Sequence, residues 1–183
     1  MPTMLKSLKR LTETLQDKGL HYMVIGGYAL PFYGRIRTTL DIDLAVMVDT
    51  RSEFKKLLRC LEKNDFEATL SSYKNPLVVL LDLKDKVAIE LWLKPDGVVF
   101  DDQLLKRRKK VKLDTGIETW IISPEDFIVN KLARPDRGVK DEKDVKSVLI
   151  RQKGNLDYQY LEKRARNAGV YEVLEKIKNT GNQ

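Results

Sequence analysis

Two short segments, Val24-Ile25-Gly26-Gly27 and Leu40-Asp41-Ile42-Asp43-Leu44, constrain this chain more than any other feature. An apolar strand runs into a glycine turn. After the length of one short helix, a second strand carries two carboxylates two positions apart. Alternate residues of a strand face the same side, so Asp41 and Asp43 are expected to project together while Ile42 and Leu44 enter a core. Two acids so placed can share divalent metal ions, and a glycine turn that opens a helix can hold a phosphate on bare backbone N–H groups. Both halves point to metal-assisted phosphoryl chemistry on a nucleotide.

At 183 residues one domain is expected, with a core over 1–135 and a helical C-terminal extension of it over 136–183. Apolar residues make up 42% of the chain, enough for a packed core. No run approaches the roughly 20 apolar residues of a membrane span, and Met1 to Lys6 lacks a basic-then-apolar signal segment. A single cysteine, Cys60, excludes an intrachain disulfide and a multi-cysteine zinc site. The expected setting is cytoplasmic, with no membrane partner. The net charge is +7, densest at Lys106-Arg107-Arg108-Lys109-Lys110. That cluster reads either as attraction for a polyanion or as charge protecting a solvated loop or edge strand.

Leucines 5, 8, 11 and 15 recur at helical spacing, predicting an amphipathic helix over 4–18. A buried strand follows over 22–25, a short helix over 28–33, and the acidic strand over 41–48. Thr50 or Ser52 can cap a helix whose apolar stripe is Phe54, Leu57, Leu58 and Leu61. Strands are expected over 66–71, 77–83 and 87–93, the last two joined as a hairpin, then over 110–113 and 119–122. Ser123-Pro124-Glu125-Asp126 announces a helix with a serine cap, an early proline and acids in the first turn. From Lys140 onward the chain is polar and helical. Strands in the middle with helices on both ends give an α+β or mixed α/β fold, a central mixed sheet flanked by helices.

The glycine pair, the spacer and Asp41-x-Asp43 resemble the signature of the DNA polymerase β-type nucleotidyltransferase superfamily. The intervening Gly34-Arg35-Ile36-Arg37-Thr38-Thr39, running into the acidic strand, resembles the small AbiEii-like, toxin-type nucleotidyltransferases. The resemblance implies a nucleotidyltransferase fold with acidic strands along an open cleft. It also implies a third acid on a neighbouring strand, facing the two aspartates.

Two candidates for that third acid exist. Glu90 lies amid apolar neighbours in Val87-Ala88-Ile89-Glu90-Leu91-Trp92 and is favoured, because a mid-strand acid there has little structural purpose. Asp82 lies beside the hairpin turn, where an acid is ordinary. A three-residue turn over 84–86 would put both on one face. The same resemblance implies that Gly26, Gly27, Arg37 with Thr38, and more weakly Arg35, hold the triphosphate. Lys131, in Lys131-Leu132, would bind nucleotide phosphate, and Asp141 and Asp144 of Lys140-Asp141-Glu142-Lys143-Asp144 would complete the site. As plain structure, these two acids would simply sit in the first turn of a helix.

The expected activity is transfer of a nucleoside monophosphate from an NTP to an acceptor hydroxyl, releasing pyrophosphate, with Mg²⁺ or Mn²⁺ held by Asp41, Asp43 and Glu90. The resemblance suggests an RNA or tRNA acceptor and a cognate antitoxin protein. The alternatives are a small-molecule acceptor, as in antibiotic nucleotidyltransferases, and a catalytically silent nucleotide- or partner-binding member. The lone His21 and the absence of P-loop and dinucleotide-binding glycine motifs exclude zinc, triad and Rossmann chemistry.

Overall fold

A computed structural model describes residues 3–70, 72–113 and 116–180. Ser71, at the end of the expected strand over 66–71, and residues 181–183 of the expected extension lie outside the described residues. Two units draw on separated stretches of chain. One comprises residues 1–24, 39–94 and 110–121, the other residues 25–38, 95–109 and 122–183.

The first unit is built on a mixed seven-stranded sheet. Its strands are Tyr22–Val24 (β1), Ile42–Val46 (β2), Phe66–Leu70 (β3), Leu77–Asp82 (β4), Val87–Trp92 (β5), Lys109–Lys112 (β6) and Glu118–Ile121 (β7). Their order is β3-β4-β5-β2-β1-β7-β6. Strand β2 runs antiparallel to β1 and parallel to β5. Alternation along the strands sorts the two faces. Ile42, Leu44, Val78, Leu80, Ile89 and Leu91 share one face and are all buried. Helices Thr3–Asp17 (α1) and Arg51–Glu62 (α3) bring the stripes Leu8, Leu11, Leu15 and Phe54, Leu57, Leu61 to this unit's core. Thr50 caps α3 in a reciprocal box with Glu53, which settles the choice between Thr50 and Ser52.

The hairpin between β4 and β5 departs from the expected turn. Asp82 pairs with Val87, leaving a connection over 83–86, and Val79 pairs with Glu90. Because side chains alternate, this register sends Asp82 to the buried face and Glu90 to the opposite one. Asp82 Oδ1 accepts from the backbone N–H groups of Lys84 (2.9 Å) and Asp85 (3.1 Å), and the carboxylate pairs with Arg10 of α1. Burial alone would raise its pKa. The Ser7 hydroxyl, the turn N–H groups and Arg10 outweigh burial and hold it below the ordinary value. Asp82 is therefore a turn and ion-pair residue. Replacing it with alanine leaves Arg10 with the more distant Asp85, at 3.5 Å, and the Phe66 ring, and is expected to lower unfolding free energy by about 2 kcal/mol in a urea melt. Since a depressed carboxyl pKa contributes stability that is lost as pH falls through it, the deficit of Asp82→Ala should shrink below about pH 4.

Strand β6, Lys-rich and exposed, is the edge of the sheet. Lys110 there pairs with Glu118 at 2.8 Å. The edge-protecting reading of the basic cluster fits this position.

The second unit is helical. It contains Gly26–Ala29 (α2), a 3-10 turn over Leu30–Phe32, then Asp102–Arg107 (α4), Pro124–Ala133 (α5), Val139–Arg151 (α6), Tyr158–Asn167 (α7) and Tyr171–Thr180 (α8). The chain turns into α2 two residues earlier than the pattern suggested. Gly26 adopts φ +62°, a left-handed conformation that L side chains rarely take. Ser123 caps α5 by accepting from the Asp126 N–H, and every residue from Pro124 to Leu132 is buried. Helix α4, capped by Asp101, was not anticipated, because six residues in a basic stretch carry no apolar period.

Candidate active site

In the sheet unit, Asp43 and Glu90 are direct neighbours across the parallel pair β2–β5. Their flanking residues, Ile42, Leu44, Ile89 and Leu91, are all buried in the other face, which fixes the direction of both carboxylates. Asp41 lies one residue before β2 and is exposed, while Asp43 and Glu90 are half-buried. Burial pushes the Glu90 pKa above its ordinary value. The charge of Asp43, a hydrogen bond shared with it and the charge of Asp41 push it further, and the Trp92 indole N–H partly offsets this.

The charges of Asp43 and Asp41 raise the cost of ionising Glu90, and a cation on the patch relieves it. The donors are all carboxylate oxygens, the set that Mg²⁺ or Mn²⁺ prefers. Among the described residues, no three His, Cys, Asp or Glu side chains already converge as a complete ligand group. The fit therefore rests first on the Asp43–Glu90 pair, with Asp41, exposed one residue before β2, as the third carboxylate.

A raised carboxyl pKa means that the native state holds its proton more tightly than the unfolded chain. Its effect on stability is absent below the ordinary value of 4.5 and becomes a loss as pH rises towards the folded value. Glu90→Gln removes this repulsion. Without divalent ions at pH 7.5, the variant should melt at or above the parent temperature. The stabilisation that millimolar Mn²⁺ gives the parent should fall sharply in the variant. A lower metal-free melting point would mean that Glu90 is structural.

In the helical unit, the basic residues singled out in the sequence meet the acids singled out with them. Arg37 holds Asp144 through Nε (3.1 Å to Oδ2) and Nη2 (3.0 Å), and Arg35 Nε donates to Asp144 Oδ1 at 2.8 Å. Lys131 Nζ donates to Asp141 Oδ1 at 3.0 Å. Burial alone would raise the Asp141 pKa, but the Lys131 ammonium, the Gly138 N–H and Arg134 hold it low. The Lys131 side chain is only 5% exposed, so α5 is a buried helix and its lysine a buried cation. Spacing i, i+3 puts Asp141 and Asp144 on the same, buried side of α6. Thr38 is exposed, and its carbonyl accepts from Arg37 Nη1.

Sequence reasoning missed what fastens the arginine loop to α6. Arg35 N–H donates to Ser147 Oγ, Arg151 donates to the Gly34 carbonyl (2.6 Å), and Gln152 donates to the Tyr33 carbonyl (3.2 Å). A methyl group at Gly34 would overlap Ser147 and come within 2.9 Å of Leu30 and Val148. The glycine beside Arg35 was the available signal, a position where only bare backbone fits against a helix.

Residues 4–179 match the profile of a family described as nucleotidyl transferase of unknown function (DUF2204). Among solved structures, the fold is similar to ANT(2")-Ia in complex with adenylyl-2"-tobramycin, with TM-score 0.57 and 14% identity over 91% of this chain and 97% of that one. It is also similar to an antigenic nucleotidyltransferase-like protein from Paracoccidioides brasiliensis, with TM-score 0.54 and 20% identity over 97% and 92% of the two chains. The lincomycin-bound lincosamide antibiotic adenylyltransferase LnuA gives TM-score 0.53 and 16% identity over 78% and 94%. No curated protein sequence matches the chain. At these identities the structural likenesses speak for the fold, a mixed α/β nucleotidyltransferase fold.

Proposed function

Because the chain belongs to the nucleotidyl transferase family DUF2204, we propose that it moves a nucleoside monophosphate from an NTP to an acceptor hydroxyl through the carboxylates Asp41, Asp43 and Glu90. The observation that carries this reading is the side-by-side register of Asp43 and Glu90, two half-buried acids whose charges oppose each other. Such a pair has a cost in the free protein and a use only when a cation or proton joins it. Asp41, Asp43 and Glu90 would hold Mg²⁺ or Mn²⁺, which when bound supplies charge neutralisation for the triphosphate. Glu90 takes the acceptor's hydroxyl proton as the acceptor oxygen bonds to the α-phosphorus and pyrophosphate leaves. Gly26, Gly27, Arg35, Arg37, Thr38 and Lys131 are the nucleotide-binding set. Asp141 and Asp144 hold Lys131, Arg35 and Arg37 in place before nucleotide arrives.

Two acceptor classes have support. A small hydroxylated molecule is favoured by the fold likeness to enzymes whose structures hold adenylyl-2"-tobramycin and lincomycin. The Gly34 to Leu44 run, similar to the AbiEii-like enzymes, and the net charge of +7 support an RNA end, a tRNA included, and with it a toxin-type role alongside an antitoxin protein in the cytoplasm.

One assay separates them. The protein is incubated with each α-labelled NTP, Mn²⁺, and either total tRNA or a panel of aminoglycosides and lincosamides, beside an Asp41→Ala/Asp43→Ala control. Label on RNA that falls steeply between 50 and 200 mM salt, on the order of a hundredfold or more, identifies a polyanion acceptor. Label on a drug hydroxyl with little salt dependence identifies the small-molecule class. NTP binding without transfer to any acceptor would favour the silent alternative, and absence of NTP binding would overturn the proposal.

A further inference from the structure

The outer face of α6 is used by nothing described above. Val139, Lys143, Lys146, Ile150 and, just past the helix end, Lys153 follow one another at spacings of four and three. That is the spacing of a single seam along a helix. Val139 is 68% exposed and Ile150 59%, while the opposite side of α6, with Asp144, Val145 and Val148, is buried. Beside Ile150 the seam borders a groove of about 510 Å³, lined by Leu149 and Ile177 together with Lys146, Lys153 and Lys178. Glu142 is the exposed acid of α6, and Arg137 lies 3.8 Å from it. Among the described residues, no ion pair engages Lys143 or Lys153.

We infer that this face docks an acidic amphipathic helix of a partner protein. Val139 and Ile150, the exposed aliphatic side chains of this seam, lie about three turns apart and call for two aliphatic anchors that would be withdrawn from water with them. Lys143 and Lys153, the lysines of the seam that no ion pair engages among the described residues, call for carboxylates on the flanks of that partner helix. A second copy of this chain, itself at +7, brings like charge. A single-stranded nucleic acid would gain nothing from the exposed Val139 and Ile150. The aromatic ring that lines the groove, Tyr158, already has the Lys178 ammonium 5.5 Å from its centroid, where a base would stack. Lys178 is itself held by Glu175 at 2.7 Å and Glu162 at 3.5 Å, so it offers little charge to either kind of anionic occupant.

The probe is a fluorescein-labelled 20-residue helical peptide with leucines at seam positions and glutamates on both flanks, titrated with the full chain by anisotropy. Binding sites are mapped by amide shifts in the isotope-labelled chain. Saturable binding is expected, with shifts confined to α6 and the Ile177 turn of α8. Ile150→Ser and Lys153→Glu, both at exposed positions, should each weaken it tenfold or more, and Lys55→Glu on α3 should leave it unchanged. Three results overturn the proposal. One is no saturation by about 1 mM peptide, and another is equal weakening by Lys55→Glu, which marks unspecific charge attraction. The third is a 20-nucleotide polyuridine that binds this face more tightly than the peptide and is indifferent to Ile150→Ser, which would assign the face to nucleic acid.

Discussion

Asp43→Asn is expected to lower nucleotidyl transfer by about a thousandfold, close to 4 kcal/mol of barrier, while the protein stays folded. Asparagine preserves the size and one oxygen of the side chain, so the loss measures negative charge. The flanking Ile42 and Leu44 remain in the core and β2 keeps its parallel register on β5, so circular dichroism and the metal-free melting temperature should match or exceed the parent. The combination is diagnostic. A structural acid loses stability when replaced, whereas an acid held against Glu90 for catalysis loses only function. Transfer within tenfold of the parent would remove Asp43 from the machinery and with it the two-carboxylate reading.

The acidic half of the candidate site was legible because strand periodicity is short-range information. Once 41–44 reads as strand, residue 43 must oppose residues 42 and 44, and Glu90 stands out as the charged residue inside an apolar strand. The sequence could not supply the partner strand or its register. The β4–β5 connection is one residue longer than its composition suggested, and that single residue reverses the face of Asp82 relative to Glu90. The basic half was legible as a set of residues but not as a set of pairs. Lys131 with Asp141, and Arg35 and Arg37 with Asp144, lie between 10 and 109 residues apart. Their pairing depends on how α5, α6 and the arginine loop pack in the helical unit, which no local pattern encodes. Nor did periodicity reveal that α5 is buried on every side, since its Asn130 and Lys131 read as a solvent face until their partners, Asp96 and Asp141, are seen.

The Lys131–Asp141 pair allows structure and function to be separated in one cycle. Asp141→Ala takes the hydrogen-bonded carboxylate from an ammonium that is 5% exposed, leaving it the Phe127 ring at 6.0 Å and the longer-range charge of Asp136, and is expected to cost about 3 kcal/mol in a denaturant melt. Lys131→Met should cost less, about 1–2 kcal/mol, because Asp141 keeps the Gly138 N–H at 3.2 Å and has Arg134 at 3.9 Å. The double variant Lys131→Met/Asp141→Leu removes both charges and fills their space with apolar atoms, so its stability should return to within about 1 kcal/mol of the parent. Activity then decides the role of the lysine. If Lys131 serves only to neutralise Asp141, the double variant regains transfer as it regains stability. If Lys131 exchanges Asp141 for a nucleotide phosphate, the double variant is stable yet binds NTP at least tenfold more weakly, and transfer stays low at saturating acceptor. The second outcome is expected, because an apolar pair would hold α5 against α6 at no desolvation cost, whereas an anion arriving beside α5 needs a cation already buried there to meet it.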